Sequence, residues 1–203
     1  MRLLRPRAGR DHAALRQIAG WCLQYPDDAV LGKLGLLRAC LDETAGPGHD
    51  ALSRTVAYLE QGEPGALASH YIEVFDRKPR RTLHLSWFLD GDTRRRGETL
   101  ASLRRFYRGH GFAPAENELP DFLPVILEFA AAADPSAAEQ VLARFHPALE
   151  LLHRNMSTMD TPYRDTVSAV LATLPADPAP LPAAPPAESV GLDPFPTGAG
   201  GGR

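Results

Sequence analysis

The stretch Leu85-Ser86-Trp87-Phe88-Leu89-Asp90-Gly91-Asp92-Thr93-Arg94-Arg95-Arg96-Gly97, inside a longer segment from Leu83 to Phe129, decides how this chain is read. An aromatic and apolar run passes into two acids around a glycine, then three arginines and a second glycine. Over Leu83–Leu89 the apolar residues are too continuous for periodicity to separate buried strand from buried helix. Helical patterns lie on both sides and no other segment offers a partner strand, so helix is expected. Thr93 or Asp92 then caps a helix that lines one side with Leu100, Leu103, Phe106 and Tyr107, while Arg104, Arg105 and Arg108 point elsewhere.

Downstream, Glu118-Leu119-Pro120-Asp121-Phe122-Leu123-Pro124-Val125-Ile126-Leu127-Glu128-Phe129-Ala130 places prolines in a first helical turn, where they are tolerated. Phe122, Val125, Ile126 and Phe129 then recur at helical spacing. Asp134-Pro135 and Thr161-Pro162 are cap-plus-proline starts for two further helices, the first with Pro147 as a predicted kink or division. Upstream, Asp11 is placed to cap a helix bearing Leu15, Ile18, Ala19 and Cys22, and Tyr25-Pro26-Asp27 ends it. A second helix is expected from about Asp28 through Leu41, a third with Leu52, Val56 and Leu59, and a fourth with Leu67, Tyr71, Val74 and Phe75. The pattern predicts an all-α, single-domain bundle of eight or nine helices. Its expected divisions are a flexible N-terminus over 1–10, a helical domain over 11–174 and a disordered tail rich in Pro, Ala and Gly over 175–203.

Lys and Arg total 22 against 25 Asp and Glu, so no global field favours a polyanion. Cys22 and Cys40 have neither zinc-site spacing nor disulfide density, and both are expected on apolar helix faces. The basic N-terminus precedes no apolar signal region, and no run reaches membrane-spanning length, so a cytoplasmic protein without stable membrane association is expected.

Catalytic readings find little support. Asp90-Gly91-Asp92-Thr93 has the look of an aspartyl nucleophile loop, but Arg94 stands where such a loop needs threonine or valine, and no parallel sheet is available to hold it. The two acids are instead expected at the positive end of the following helix. His84 and Ser86 lack a third orienting group. His146 and His153 lack a carboxylate to complete a metal set. No catalytic residue, metal or cofactor is expected. The basic cluster of Arg77, Lys78, Arg80, Arg81, Arg94–Arg96, Arg104, Arg105 and Arg108 supports an alternative, a helical nucleic-acid-binding protein. Asp76, Asp90, Asp92 and Glu98 interleave with those arginines, which favours intramolecular pairing, so no nucleic acid is expected.

Tyr71-Ile72-Glu73-Val74-Phe75-Asp76, the Gly-Asp-Thr-Arg-x-Arg-Gly run at 91–97, Tyr107-Arg108 with Gly111-Phe112, and the Glu-Leu-Pro-Asp-x-Leu-Pro run at 118–124 together resemble the NarJ-type chaperones of respiratory nitrate reductase, within the TorD-like redox-enzyme maturation proteins. The likeness covers most of Gly20 to Leu174. It implies a non-catalytic, all-helical chaperone that binds the apo alpha subunit of nitrate reductase, partly through its N-terminal leader-like segment. It also implies that the chaperone permits molybdenum cofactor insertion before membrane attachment, without holding the cofactor itself. Cofactor delivery proteins are possible further partners.

A leader that folds as an amphipathic helix would lay its apolar face in a groove and its basic residues against carboxylates. The expected walls are Tyr71, Phe75, Trp87, Phe88, Phe122, Ile126 and Phe129. The expected counter-charges are Glu73, Asp76, Asp90, Asp92, Asp121 and Glu128. Arg94 and Arg96, with Gly91 and Gly97, are expected to organise the site, the arginines by holding Asp90 or Asp121 through bidentate bonds.

Overall fold

Ten α-helical segments occur in the computed structural model, which describes residues 7–174. They are α1 (Arg7–Cys22), α2 (Asp28–Leu31), α3 (Leu34–Asp42), α4 (His49–Gln61), α5 (Pro64–Tyr71), α6 (Ser86–Asp90), α7 (Arg94–Gly109), α8 (Leu123–Ala132), α9 (Pro135–Asn155) and α10 (Pro162–Ala172). The predicted tail over 175–203 lies outside the described residues, as do the first six. Residues 7–10 open α1, so Asp11 lies within that helix and does not cap it.

From Leu123 to Ala130 the chain is apolar all round apart from Glu128, and a helix of that composition must be covered on every side. α8 accordingly occupies the middle of the bundle, between α1 and α9, with every residue from Leu123 to Ala130 except Glu128 buried. Gly20 lets α1 come close: a Cβ there would stand 3.4 Å from Leu127 Cβ and 3.5 Å from the Pro124 carbonyl oxygen. α10 packs on α4, α1 and α9, and Arg16 of α1 clamps its end with bonds to Thr173 Oγ1 (3.1 Å) and the Thr173 carbonyl (2.9 Å).

The cap signals act where the sequence places them. Asp134 accepts from Ala137 N–H at 3.1 Å, and Thr161 accepts from Tyr163 N–H at 3.4 Å. α9 runs unbroken through Pro147, which is buried within it, so the predicted division does not occur. The single helix expected over 28–41 is two, separated at Gly32-Lys33, with Asp27 capping the first through Val30 N–H at 2.9 Å. Cys22 is buried, which pushes its thiol up to about 12, whereas Cys40 is exposed on α3 and not on an apolar face.

The helix expected over Leu83–Leu89 forms only from Ser86. His84 instead makes an isolated antiparallel bridge with Phe122, flanked by two backbone bonds: Leu85 N–H donates to the Asp121 carbonyl (3.0 Å) and Leu123 N–H to the Leu83 carbonyl (2.8 Å). The same bridge delays α8 to Leu123, so Pro120 and Asp121 precede the helix and Pro124 supplies its N-terminal proline. A bridge of one residue pair, with no alternation to betray it, leaves no periodic signal.

Candidate functional site: a cleft beside a buried carboxylate

α5 does not stop at Tyr71 but widens into a π-helical turn over Ile72–Asp76, a local form that recurs at functional sites. The turn sends Val74 and Phe75 inward and leaves Ile72, Glu73 and Asp76 exposed. Arg81 ties it down, donating through Nε to the Val74 carbonyl (2.6 Å) and through Nη2 to the Glu73 carbonyl (2.9 Å). Against this turn stand the 3-10 turn Pro79–Arg81, the extended Thr82–His84 and the start of α6. Between them an open cleft of about 290 Å³ is lined by Phe75, Asp76, Pro79, Thr82, His84, Trp87 and Arg96.

The floor of the cleft is organised by Asp121, which has no exposed surface. Ser86 Oγ donates to Asp121 Oδ2 at 2.5 Å, and Arg96 Nη2 lies 3.5 Å from the same oxygen while its Nε donates to Ser86 Oγ at 3.1 Å. His84 Nδ1 faces Oδ1 at 3.2 Å, and an ionised carboxylate only accepts, so Nδ1 is the nitrogen that carries hydrogen there. Burial alone would raise the Asp121 pKa. The hydrogen bonds from His84 and Ser86, with the charges of His84 and Arg96, outweigh it and hold the carboxyl below the usual aspartate value.

This trio of serine, histidine and aspartate is not nucleophilic machinery. Both Ser86 and His84 bond to Asp121, on opposite oxygens, and the Ser86 hydroxyl is buried and occupied as donor and as acceptor. A base poised on the serine is what a nucleophile needs, and His84 is engaged elsewhere.

Of the residues the sequence nominated, Phe75, Asp76, Trp87 and Arg96 meet at this cleft. Phe122 is half-buried one step away, its ring 5.3 Å from that of His84. Others lie where no outside ligand reaches. Asp121 is fully buried and its oxygens are taken, so it does not face a client as a counter-charge. Phe88, Ile126 and Phe129 belong to the core, and Tyr71 is buried with its hydroxyl donating to the Leu23 carbonyl at 3.1 Å. Glu73 and Asp92 are exposed but do not line the cleft. Glu128 is on the outer side of α8, where partial burial and then the charge of Glu118 hold its carboxyl above the usual range.

Asp90 borders a separate depression with Arg95, Glu98, Arg105 and Arg144. Neither it nor Asp92 caps α7. Thr93 holds the N-cap position, yet its hydroxyl donates to the Asp90 carbonyl at 2.9 Å instead of accepting from the helix. Arg96 reaches Asp121 through one long contact and through Ser86, not by a bidentate fork, and Arg94 is exposed and takes no part. Gly91 ends α6 at φ 63°, ψ −154°, a conformation that side-chain-bearing residues resist, so this glycine shapes the turn into α7. Gly97 has no such reason, being helical with open space where a Cβ would stand. His84 and Ser86 are site residues the sequence did not nominate, because their partner Asp121 lies thirty-seven and thirty-five positions away, and Pro79 and Thr82 of the cleft were not nominated either.

Among the described residues no group of histidine, cysteine and acidic side chains could hold a metal ion, and no helix is long and apolar enough to cross a membrane.

The nitrate reductase delta subunit family model matches residues 39–168, more than half of the chain and all of the cleft. The chain is 38% identical over 168 residues to the nitrate reductase-like protein NarX of Mycobacterium tuberculosis, an alignment covering 83% of this chain but a quarter (25%) of that protein's length. It is 32% identical over 155 residues to the probable nitrate reductase molybdenum cofactor assembly chaperone NarJ of Bacillus subtilis, covering 75% of this chain and 83% of that one. In three dimensions it resembles a putative redox enzyme maturation protein from Archaeoglobus fulgidus, with a TM-score of 0.60 at 21% identity over 84% of this chain and 96% of the other, a likeness of fold. The chain therefore belongs to the nitrate reductase delta subunit family, that of the NarJ-type assembly chaperones.

Proposed function

We propose that this chain is a non-catalytic chaperone for nitrate reductase. It binds the apo form of the catalytic alpha subunit in the cytoplasm, engages its N-terminal leader-like segment, and permits molybdenum cofactor insertion before the subunit attaches to the membrane. The observation that carries this reading is the cleft formed by Phe75, Asp76, Pro79 and Trp87 inside the segment shared with the chaperone family. Trp87 and Pro79 offer apolar surface beside the exposed carboxylate of Asp76, and a leader helix with one apolar face and a flanking basic residue satisfies both. Arg96 and His84, held from behind by Asp121, keep the opposite wall in place. Molybdenum cofactor delivery proteins are further partners under this reading.

Calorimetric titration with a peptide from the N-terminus of the alpha subunit tests it. Binding to the wild-type chain that weakens in Trp87→Ala and in Asp76→Asn is expected. Absence of binding, or equal binding by both variants, would overturn the assignment of the cleft.

A further inference from the structure

α7 begins against the usual rules for a helix. Its first turn holds Arg94, Arg95 and Arg96 and no acid, and its N-cap side chain accepts no hydrogen bond from the helix, although cations are unfavourable at the positive end of a helix dipole. Arg96 is explained by Ser86 and Asp121. Arg94 and Arg95 are exposed, and neither forms an ion pair among the described residues. The same holds for Arg104, Arg105 and Arg108 near the other end. Gly97 adds a second cost, since glycine within a helix is worth about 1 kcal/mol less than alanine and nothing here requires its smallness for folding. Where local rules are broken without return inside the fold, the return is sought outside it.

All of these but Arg95 share one face. At helical spacing, Arg94, Gly97, Ala101, Arg105 and Arg108 fall along a single exposed stripe with Arg104 at one edge and Glu98 at the other, and Leu103 and Tyr107 are buried on the other side. Arg94 and Arg105 are separated by about 16 Å of helix rise, with a flat step of Gly97 and Ala101 between them. Glu98 is the one acid in the α7 sequence, and Asp90 and Glu116 on neighbouring segments border the face without pairing to its arginines. Forked guanidinium groups suit carboxylates, and the low middle lets a second helix backbone come near. Exposed aromatics on which nucleic-acid bases would stack are absent from the α7 stripe, since Phe106 and Tyr107 turn toward Phe129.

We propose that the outer face of α7 is a second docking surface, separate from the Trp87 cleft, for an acidic amphipathic helix of a partner protein with carboxylates along one side. The surface stands whether or not the cleft takes the client.

The probe is a synthetic helical peptide with glutamates on one face and alanines on the other, titrated against the full chain by fluorescence anisotropy. A peptide of the same composition with its glutamates scattered round the helix is the control. Tighter binding of the patterned peptide is expected, with a loss of about tenfold or more in the paired variant Arg104→Glu, Arg108→Glu. Gly97→Leu is expected to weaken binding while raising the melting temperature, which separates blocked approach from failure to fold. Equal binding of the scattered peptide, or unchanged binding by the arginine variant, would overturn the proposal. So would preferential binding of a single-stranded oligonucleotide or anionic vesicles to the same arginines, or self-association that those substitutions abolish.

Discussion

Ser86 and Asp121 are thirty-five residues apart, yet Ser86 Oγ donates a 2.5 Å hydrogen bond to the buried Asp121 Oδ2. Their segments are already joined by the backbone bonds between Leu83–Leu85 and Asp121–Leu123, so side chain and main chain fix the same junction twice. Arg96 and His84 close on that carboxylate from the cleft side. The acid that the sequence offered as a contact for a client is instead the anchor for Arg96 and His84, two side chains that border the cleft.

Removal of that anchor leaves Arg96 without a counter-charge and His84 Nδ1 without its acceptor. Both are partly exposed and regain some water, so the cost is expected below that of stripping a wholly buried pair, at about 2–3 kcal/mol for Asp121→Ala. Urea denaturation measures it. Asp121→Asn, which retains the shape and an acceptor for Ser86, is expected to lose less. An Ala variant as stable as wild type would show that the cluster contributes nothing to the fold.

The carboxylate also sets an acid limb. Its pKa lies lower in the folded chain than in the unfolded one, where aspartate titrates near about 3.9, so the unfolded chain takes up the proton first as pH falls. The stability it contributes is therefore fully present above that value and is lost as pH drops through the folded-state pKa. Asp121→Asn carries no such proton. The stability gap between wild type and Asp121→Asn is expected to narrow between about pH 5 and pH 3. A gap that stays constant over that range would assign the stabilisation to shape and not to charge.

Two glycines of the same run should respond in opposite directions. Gly91→Ala forces a side chain into φ 63°, ψ −154° and is expected to cost about 1–3 kcal/mol. Gly97→Ala fills open space within a helix and is expected to stabilise by about 0.5–1 kcal/mol. Thermal melts of the two variants side by side decide it, and a fall in melting temperature for Gly97→Ala would contradict the open helical environment described above.

What was legible in the sequence was local or compositional. Asp134 and Thr161 could be read as caps because the groups they bind lie two or three residues on, and the α8 helix could be read from the spacing of Phe122, Val125, Ile126 and Phe129. The Asp121 cluster was not legible, because its members lie 25 to 37 residues from it in sequence and meet only through a bridge too short to leave a period. The same bridge, at His84, explains why the helix starts only at Ser86 and not at Leu83. Phe129 and Trp87 could not be told apart as groove or core by type. Helix placement decided it, burying the first under Phe106 and Tyr107 and leaving the second at the cleft.

Trp87 and Asp90 are three positions apart on one short helix, yet they open onto different depressions, and this separates two versions of an acidic groove. If a leader peptide lies in the cleft, its basic residue meets Asp76, and Asp90 behind the turn at Gly91 is not reached. Asp76→Asn is then expected to weaken peptide binding by about tenfold, the loss of one well-placed charge pair, with little change in melting temperature because Asp76 is exposed. Asp90→Asn is expected to bind as wild type does. Trp87 emission, recorded with Trp21→Phe in the background, should shift on peptide addition and stay shifted in Asp90→Asn. The reverse pattern, loss of binding in Asp90→Asn with Asp76→Asn unaffected, would move the client to the arginine-rich depression on the other side of α6.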